Sequence, residues 1–277
     1  MRRFFLFLSL LAFYSSSTTA WADPHTEFVK ISPTVFGPSG LLFTQSADTL
    51  APGQIEIGLS LANEQSDNPD LTLNELLPTV TVGLLDRLEL SARADYLFVN
   101  VVGMEERTLQ DVDISLKWRF IDENKKDKLP AAGLSFTYFK PTGKDELRQF
   151  GSWGFKALLV SSAEAELGKP DSILVGFYFD AGIMISDFGK SYEERHTMID
   201  FGTLFPLTES KQLQLLLEVN TTQNNDTLLE GDYTGLTAAL RYVTSHFNVT
   251  GGIQKRIRSE SGVDDTNRLV FQGSLQF

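Results

Sequence analysis

The chain has 277 residues, with 36 Asp and Glu against 24 Lys and Arg, and its formal net charge is −12. This acidic balance argues against a nucleic-acid partner, because binding to phosphates requires a basic surface. The sequence contains no cysteine, which excludes disulfides, a lipid-modified cysteine and cysteine ligands for zinc.

The first 22 residues have the pattern of a secretory signal peptide. Arg2 and Arg3 precede an apolar run over residues 4–14, and Ala20-Trp21-Ala22 is a cleavage site of the A-x-A type. The run is too short to cross a bilayer as a helix. We therefore predict a signal peptide over residues 1–22 and export of the mature chain from Asp23.

Residues 23–53 do not alternate cleanly between apolar and polar positions. They contain four prolines, Pro24, Pro33, Pro38 and Pro52. Proline cannot donate to a sheet ladder, which excludes a central strand here. Two interpretations stay open for this stretch, a periplasmic arm or a plug in the lumen of a barrel.

From residue 54 onward, apolar and polar residues alternate with a period of two, which predicts β-strands. In residues 111–121, for example, Ile114, Leu116 and Trp118 face away from Ser115 and Lys117. Twelve such strands are predicted, at 54–62, 78–85, 88–99, 111–121, 131–140, 152–162, 172–185, 196–205, 211–221, 233–243, 246–256 and 267–277.

The connections between these strands differ in length. Odd-numbered ones are long and polar, such as residues 62–77, and even-numbered ones are mostly short, such as residues 86–87. This asymmetry is typical of outer-membrane β-barrels, whose short turns face the periplasm. We predict an all-β fold, a transmembrane antiparallel up-and-down β-barrel of about twelve strands over residues 54–277. It lies in the outer membrane, with both termini periplasmic.

Aromatic residues gather near both ends of the predicted strands, as expected for the two membrane interfaces. One group lies near the short turns: Trp118, Phe120, Phe205, Tyr242, Phe247 and Phe277. The other lies near the long loops: Tyr96, Phe98, Tyr138 and Trp153. Acidic residues in the predicted outer loops indicate a solvated surface, with a divalent-cation or lipopolysaccharide role as the alternative: Glu64, Asp67, Asp70, Glu75, Asp226, Glu230 and Asp232.

Charged residues occupy the predicted inward face of the strands. They are Glu56, Glu89, Arg93, Asp95, Asp113, Lys117, Arg119, Lys156, Asp180, Asp200, Glu218 and Arg241. Opposed charges can set the selectivity of a pore, or they can pair with each other and fill the lumen. A twelve-strand lumen is intermediate between filled eight-strand barrels and open sixteen-strand porins, so both interpretations stay open.

No motif for catalysis or metal binding accompanies these charges. The three histidines, His25, His196 and His246, belong to no zinc or hydrolase pattern. We predict no catalytic residues, no metal site, no cofactor and no enzymatic activity.

Several stretches resemble a known family: TVTVGLLDRLELSARADY, DVDISLKWRFIDENKKDKLPAAGLSFTYFKPTGK, GSWGFKALL, FPLTESKQLQLLLEV and LTAALRYVTSHFNVTGGI. Over residues 54–277 the chain is similar to the MetA-pathway of phenol degradation family of transporter-like outer-membrane barrels. The stretch GPSGLLFTQSADTLAPGQ also resembles the N-terminal segment of exopolysaccharide-associated barrels. The barrel pattern and the charged inward face predict a passive channel for small solutes, with aromatic or apolar compounds among the candidates. The alternative is a structural or export-associated protein with a filled lumen that binds an envelope partner.

Three partners are expected for a protein of this kind. They are outer-membrane lipid with lipopolysaccharide, a small-molecule solute, and the barrel assembly machinery. A final aromatic residue on an alternating strand resembles the signal that this machinery recognises, which makes Phe277 the candidate assembly signal.

Deletion of Phe277 tests this assignment. Burying one aromatic side chain contributes about 1.5–3 kcal/mol, too little to account for loss of a whole barrel. We therefore expect the deletion to impair membrane insertion strongly, measured by the heat-dependent gel shift of the folded barrel and by unfolded protein in the periplasm. Phe271→Ala, which removes similar apolar area from the same strand face, is the control. Equal, mild losses for both variants would contradict the assembly signal.

Overall fold

A computed structural model describes residues 32–67, 70–101, 104–142, 153–167, 173–187, 193–225, 232–258 and 265–277. The proposed signal peptide and residues 23–31 lie outside the described residues. The strands are β1 (Ser32–Pro33), β2 (Ser39–Gly40), β3 (Ile55–Asp67), β4 (Asp70–Leu85), β5 (Leu88–Val101), β6 (Met104–Ile121), β7 (Ala131–Pro141), β8 (Trp153–Leu167), β9 (Ile173–Asp187), β10 (Glu193–Pro206), β11 (Leu213–Asn224), β12 (Tyr233–Val243), β13 (Phe247–Arg258) and β14 (Thr266–Gln276). Among these residues no helix has the length and hydropathy that a membrane crossing requires.

Strands β3 to β14 form a closed barrel in which each strand pairs antiparallel with its neighbours in sequence. The ring closes between β14 and β3, where Gln276 lies opposite Glu56 and Asn267 lies opposite Gln65. Closure leaves no strand edge without hydrogen-bond partners, which is the condition for a sheet to cross lipid. The predicted all-β, twelve-strand barrel is confirmed.

The two faces of each strand separate apolar from polar side chains. On β14, Leu269, Phe271 and Leu275 point outward and are exposed, whereas Gln272 and Ser274 point inward and are buried. An outward apolar face against a polar interior is the pattern of membrane barrels, because the outer face meets hydrocarbon. Outward aromatic side chains cluster near the short turns, where Trp118 packs on Phe120 and Tyr242 on Phe247.

The predicted boundaries are wrong at the first two hairpins. Residues 62–77 were expected to be a polar loop, but β3 continues to Asp67 and β4 begins at Asp70. Likewise β6 begins at Met104 rather than near residue 111. The physical reason is that the polar residues of these extensions alternate too, and some of their charged side chains find partners inside the barrel.

Residues 32–53, which we call the inner segment, lie inside the ring. The segment begins with a small hairpin in which β1 and β2, each two residues long, pair antiparallel. After this hairpin, Leu41, Leu42 and Phe43 are at most 3% exposed. They pack with Val35 into a core completed by wall residues, namely Ala62, Leu77, Tyr178, Leu204, Leu216, Ala239 and Val270. Gly53, with φ of 80°, turns the chain from the lumen into β3.

Among the described glycines, Gly182 on β9 leaves the least room for a Cβ atom. A Cβ added at Gly182 would lie 1.9 Å from the backbone oxygen of Ala157 on the paired strand β8. Backbone cannot retreat as a flexible side chain can, so this position requires glycine. At the outward Gly251, an added Cβ would meet only the ring of Phe271, at 3.3 Å.

We therefore expect Gly182→Ala to destabilise the barrel by about 1–3 kcal/mol, the usual effect of overpacking. The measurement is the temperature at which the folded form loses its faster gel migration. Gly251→Ala is the matched control and should shift this temperature little. The same shift in both variants would show that the close approach at β8 and β9 is unimportant.

Candidate functional site: a carboxylate-lined lumen

All twelve charged residues selected from the sequence have buried side chains, at most 9% exposed. They are Glu56, Glu89, Arg93, Asp95, Asp113, Lys117, Arg119, Lys156, Asp180, Asp200, Glu218 and Arg241. The structure divides them into residues that hold the inner segment and residues that interact within the wall. That any of them lines an open pore remains a proposal.

Glu218 on β11 binds three consecutive backbone amides of the inner segment. Its carboxylate accepts hydrogen bonds from the N–H groups of Leu42 at 3.1 Å, Phe43 at 3.0 Å and Thr44 at 2.7 Å. On β9, the Asp180 carboxylate accepts the next N–H, that of Gln45, at 2.7 Å. Two strands of the wall therefore bind four consecutive backbone N–H groups, those of residues 42–45.

Glu89 on β5 holds the segment at two further points. It accepts hydrogen bonds from the Ser39 N–H at 2.9 Å, from the Ser39 hydroxyl, and from the Leu50 N–H at 3.0 Å. Lys117 on β6 lies 3.2 Å from the Glu89 carboxylate and donates to the Ser39 carbonyl at 3.0 Å. This buried ion pair thus gives hydrogen-bond partners to both the backbone N–H and the backbone C=O of Ser39.

Other wall side chains donate to carbonyl oxygens of the segment. Gln272 donates to Pro33 at 2.7 Å, Thr81 to Gly37 at 2.9 Å, and Arg241 to Gly40 at 3.4 Å. Donors and acceptors from strands all around the ring therefore satisfy the buried backbone of the segment. A buried peptide group without a partner would cost ~1–3 kcal/mol, so the wall makes this position of the segment stable.

Near the short turns, Asp48 of the segment interacts with two strands. Its carboxylate lies 3.5 Å from the Arg119 guanidinium and accepts a hydrogen bond from the Ser162 hydroxyl at 3.1 Å. Arg119 also donates to the carbonyl of Asp86, in the turn between β4 and β5, at 3.1 Å. The segment is therefore anchored at this end as well as at mid-barrel.

Toward the opposite end of the barrel, cations of the wall lie against aromatic rings of the segment. The Phe36 ring is 4.7 Å from the Lys156 ammonium and 5.4 Å from the Arg93 guanidinium. The Phe43 ring is 5.7 Å from the guanidinium of Arg268. Such cation–π contacts contribute about 2 kcal/mol when they are desolvated.

The remaining predicted residues interact within the wall. Arg93 forms an ion pair with Asp113 on the neighbouring strand, and Asp200 lies directly opposite Asp180 in the register of β10 and β9. Glu56 accepts hydrogen bonds from Asn248 and Ser274. Asp95 is buried on β5, two residues beyond Arg93 on the same face.

Two ion pairs of the lumen were missed in the sequence. Glu64 and Glu75 were assigned to an outer loop, but they pair inside the barrel with Arg256 and Arg268. The alternation of β14 does indicate one partner, since Arg268 shares the inward face of this strand with Gln272. Residues 63–70 are dominated by Asn, Asp and Glu, a composition typical of a loop, which conceals the strand ends of β3 and β4.

The histidines and carboxylates form no metal site in the described part of the chain, where no group of three or more potential ligands converges. His196 lies 3.2 Å from Glu194 on the same strand, and His246 is exposed in the turn before β13. His25 lies outside the described residues.

Comparison with known proteins identifies the fold. No protein-family model matches the sequence, and no curated protein matches it significantly. An outer membrane channel from Pseudomonas putida F1 superposes with a TM-score of 0.60 at 14% identity, over 83% of this chain and 98% of the channel. The NanC porin superposes with a TM-score of 0.58 at 10% identity, over 79% of this chain and 98% of the porin. The chain has the fold of outer-membrane channel barrels.

Glu218→Gln tests whether the carboxylate holds the inner segment. An amide retains the shape of the side chain but lacks the charge that strengthens the three hydrogen bonds. We expect hydrogen exchange of the Leu42, Phe43 and Thr44 amides to become about tenfold faster, as a loss of ~1.4 kcal/mol predicts. Glu56→Gln is the control, since Glu56 is equally buried but binds only wall residues. Unchanged exchange in Glu218→Gln would contradict the assignment.

Proposed function

We propose that the protein is an outer-membrane channel for small solutes, with the inner segment as a plug that closes it. The main support for this proposal is that Glu89, Asp180 and Glu218 bind backbone amides of the segment from three sides of a polar lumen. The fold shared with an outer membrane channel and a porin supports a membrane pore. In this proposal the short turns face the periplasm.

The size of the barrel supports an internal closure. Eight-strand barrels are filled by their own side chains, and sixteen-strand porins enclose a water-filled channel. A twelve-strand ring lies between these limits, and here a chain segment occupies space that wall side chains do not fill. Because residues 41–46 are almost completely buried, solute passage requires this segment to shift.

We include aromatic or apolar compounds among the proposed solutes because the sequence resembles the phenol-degradation barrels. Phe139 of the wall points into the lumen, and Phe36 and Phe43 of the inner segment lie inside it. The charged wall favours solutes that also carry polar groups, since a purely apolar solute would leave buried charges without water.

The filled lumen also supports a second candidate, a structural or export-associated barrel that binds an envelope partner. In that case the inner segment would be a permanent part of the core and the barrel would never conduct. Lipid and lipopolysaccharide would contact the apolar outer face, and the assembly machinery would insert the barrel, under either proposal.

Conductance in planar bilayers distinguishes the two candidates. We expect discrete openings for the full chain, and more frequent openings for Glu218→Gln because its segment is held less tightly. Glu56→Gln should behave as the unmodified protein does. Complete absence of openings in all three proteins would favour the structural role.

A disulfide between the inner segment and β5 tests whether the segment is the gate. A Cβ built at Gly37 lies 3.3 Å from the Cβ of Ser91, close to the ~3.5–4.5 Å of a disulfide, and the chain has no other cysteine. The φ of 106° at Gly37 adds strain, so the variant is assessed against itself before and after reduction. We expect the oxidised Gly37→Cys, Ser91→Cys protein to be closed and the reduced protein to open. Equal conductance in both states would exclude the segment as a gate.

A further inference from the structure

We infer that the lumen selects cationic, hydrogen-bond-donating solutes, such as organic amines, at the carboxylates that the inner segment occupies when the barrel is closed. This inference rests on the proposed channel function and specifies the solute class of the same lumen. It assigns the selectivity to Asp180, Asp200 and Glu218.

The charge of the lumen is unbalanced. Among the described residues of the barrel, ten buried side chains are Asp or Glu, whereas six are Lys or Arg. Two pairs of these charges neutralise each other, Arg93 with Asp113 and Lys117 with Glu89, and the partly buried Arg256 pairs with Glu64. The excess is therefore negative, and it falls on carboxylates that no ion pair neutralises.

Asp180 and Glu218 are two such carboxylates. In the described chain neither forms an ion pair with Lys or Arg; instead, backbone N–H groups of residues 42–45 occupy them. Asp200 stands beside them, directly opposite Asp180 on the paired strand. We call Asp180, Asp200 and Glu218 the carboxylate row. The inner segment supplies four hydrogen-bond donors to this row, as a bound ligand would.

A second observation points to a ligand at the same place. Asp180 is 0% exposed, and its Oδ1 atom has no hydrogen-bond partner, whereas Oδ2 accepts the N–H of Gln45. Buried carboxylate oxygens are normally satisfied, so an unpartnered one on the wall marks a place for water or for a donor group of a polar solute. The segment therefore supplies donors to these carboxylates without satisfying all of their acceptor atoms.

Displacement of the segment removes these four donors. A bare carboxylate in a narrow lumen then requires replacement donors, and an ammonium group supplies both the hydrogen bonds and the opposite charge. A carboxylate group of a solute supplies neither, and it is repelled by Asp180, Asp200 and Glu218 across a medium of lower dielectric constant than water. Cations therefore pass more readily than anions of the same size.

Uptake by proteoliposomes containing the full chain tests this selectivity. The probes are radiolabelled lysine, glutamine and glutamate, which have similar size and the same backbone groups but different side-chain charge. We expect lysine to be fastest and to exceed glutamate about tenfold, which corresponds to ~1.4 kcal/mol in the free energy of passage. Uptake in which lysine is not fastest overturns the inference and leaves the channel intact. Absence of uptake for all three probes overturns the channel function as well.

Single substitutions locate the selectivity. Asp200→Asn removes a charge of the row without touching the inner segment, so we expect the ratio of lysine to glutamate uptake to fall severalfold. Glu218→Gln should lower the same ratio even though it raises the total flux. Glu209→Gln, which removes an exposed carboxylate from the turn before β11, is the control and should preserve the ratio. A ratio unchanged in both lumen variants, with folding verified by gel shift, would overturn the assignment to this row.

Discussion

Backbone N–H and C=O groups that lack partners are strongly unfavourable wherever water is excluded, and this constraint governs both layers of the molecule. In the wall it requires a closed ring, so β14 pairs with β3 rather than ending as a free edge. In the lumen the inner segment is too short and too proline-containing to build a sheet of its own beyond β1 and β2. Some of its remaining peptide groups pair within the segment, as the Val35 N–H does with the Leu42 carbonyl, and others are satisfied by wall side chains such as Glu218.

The charges of the wall thus have a structural role before any role in transport. A carboxylate has several lone pairs and can accept more than one N–H group, which is why Glu218 alone holds three residues of the segment. In the proposed channel, the same property makes the lumen attractive to cations once those donors leave. Closure and selectivity are then two consequences of one set of side chains.

The sequence predicted the strands well because an alternating pattern is a local property. Even residues 131–140, where Ala131, Ala132 and Gly133 dilute the alternation, form the predicted strand β7. Prediction failed where polar residues were taken for a loop, at β3 and β4, since pairing between strands and not hydropathy decides where these strands end. The burial of the twelve charged residues follows from the same period of two.

The contacts of the inner segment could not be predicted in the same way. Leu42 and Glu218 are separated by 176 residues, and Pro33 and Gln272 by 239. No local period connects such positions, and several of these contacts use backbone atoms of the segment, which every sequence has. The sequence therefore left the arm and the plug as open alternatives, because the partners of the segment come together only when the ring is assembled.

The turn at Gly53, which joins the inner segment to β3, has a kinetic consequence. Because only residues 45–54 separate the last amide bound by Glu218, that of Thr44, from β3, the segment acts as a tethered ligand of its own barrel. A short tether gives an effective concentration of the order of mM or more. In the proposed channel, reclosure is an intramolecular event whose rate is independent of protein concentration. A solute that binds these carboxylates more weakly than the tethered segment does would pass between successive returns of the segment without holding the barrel open.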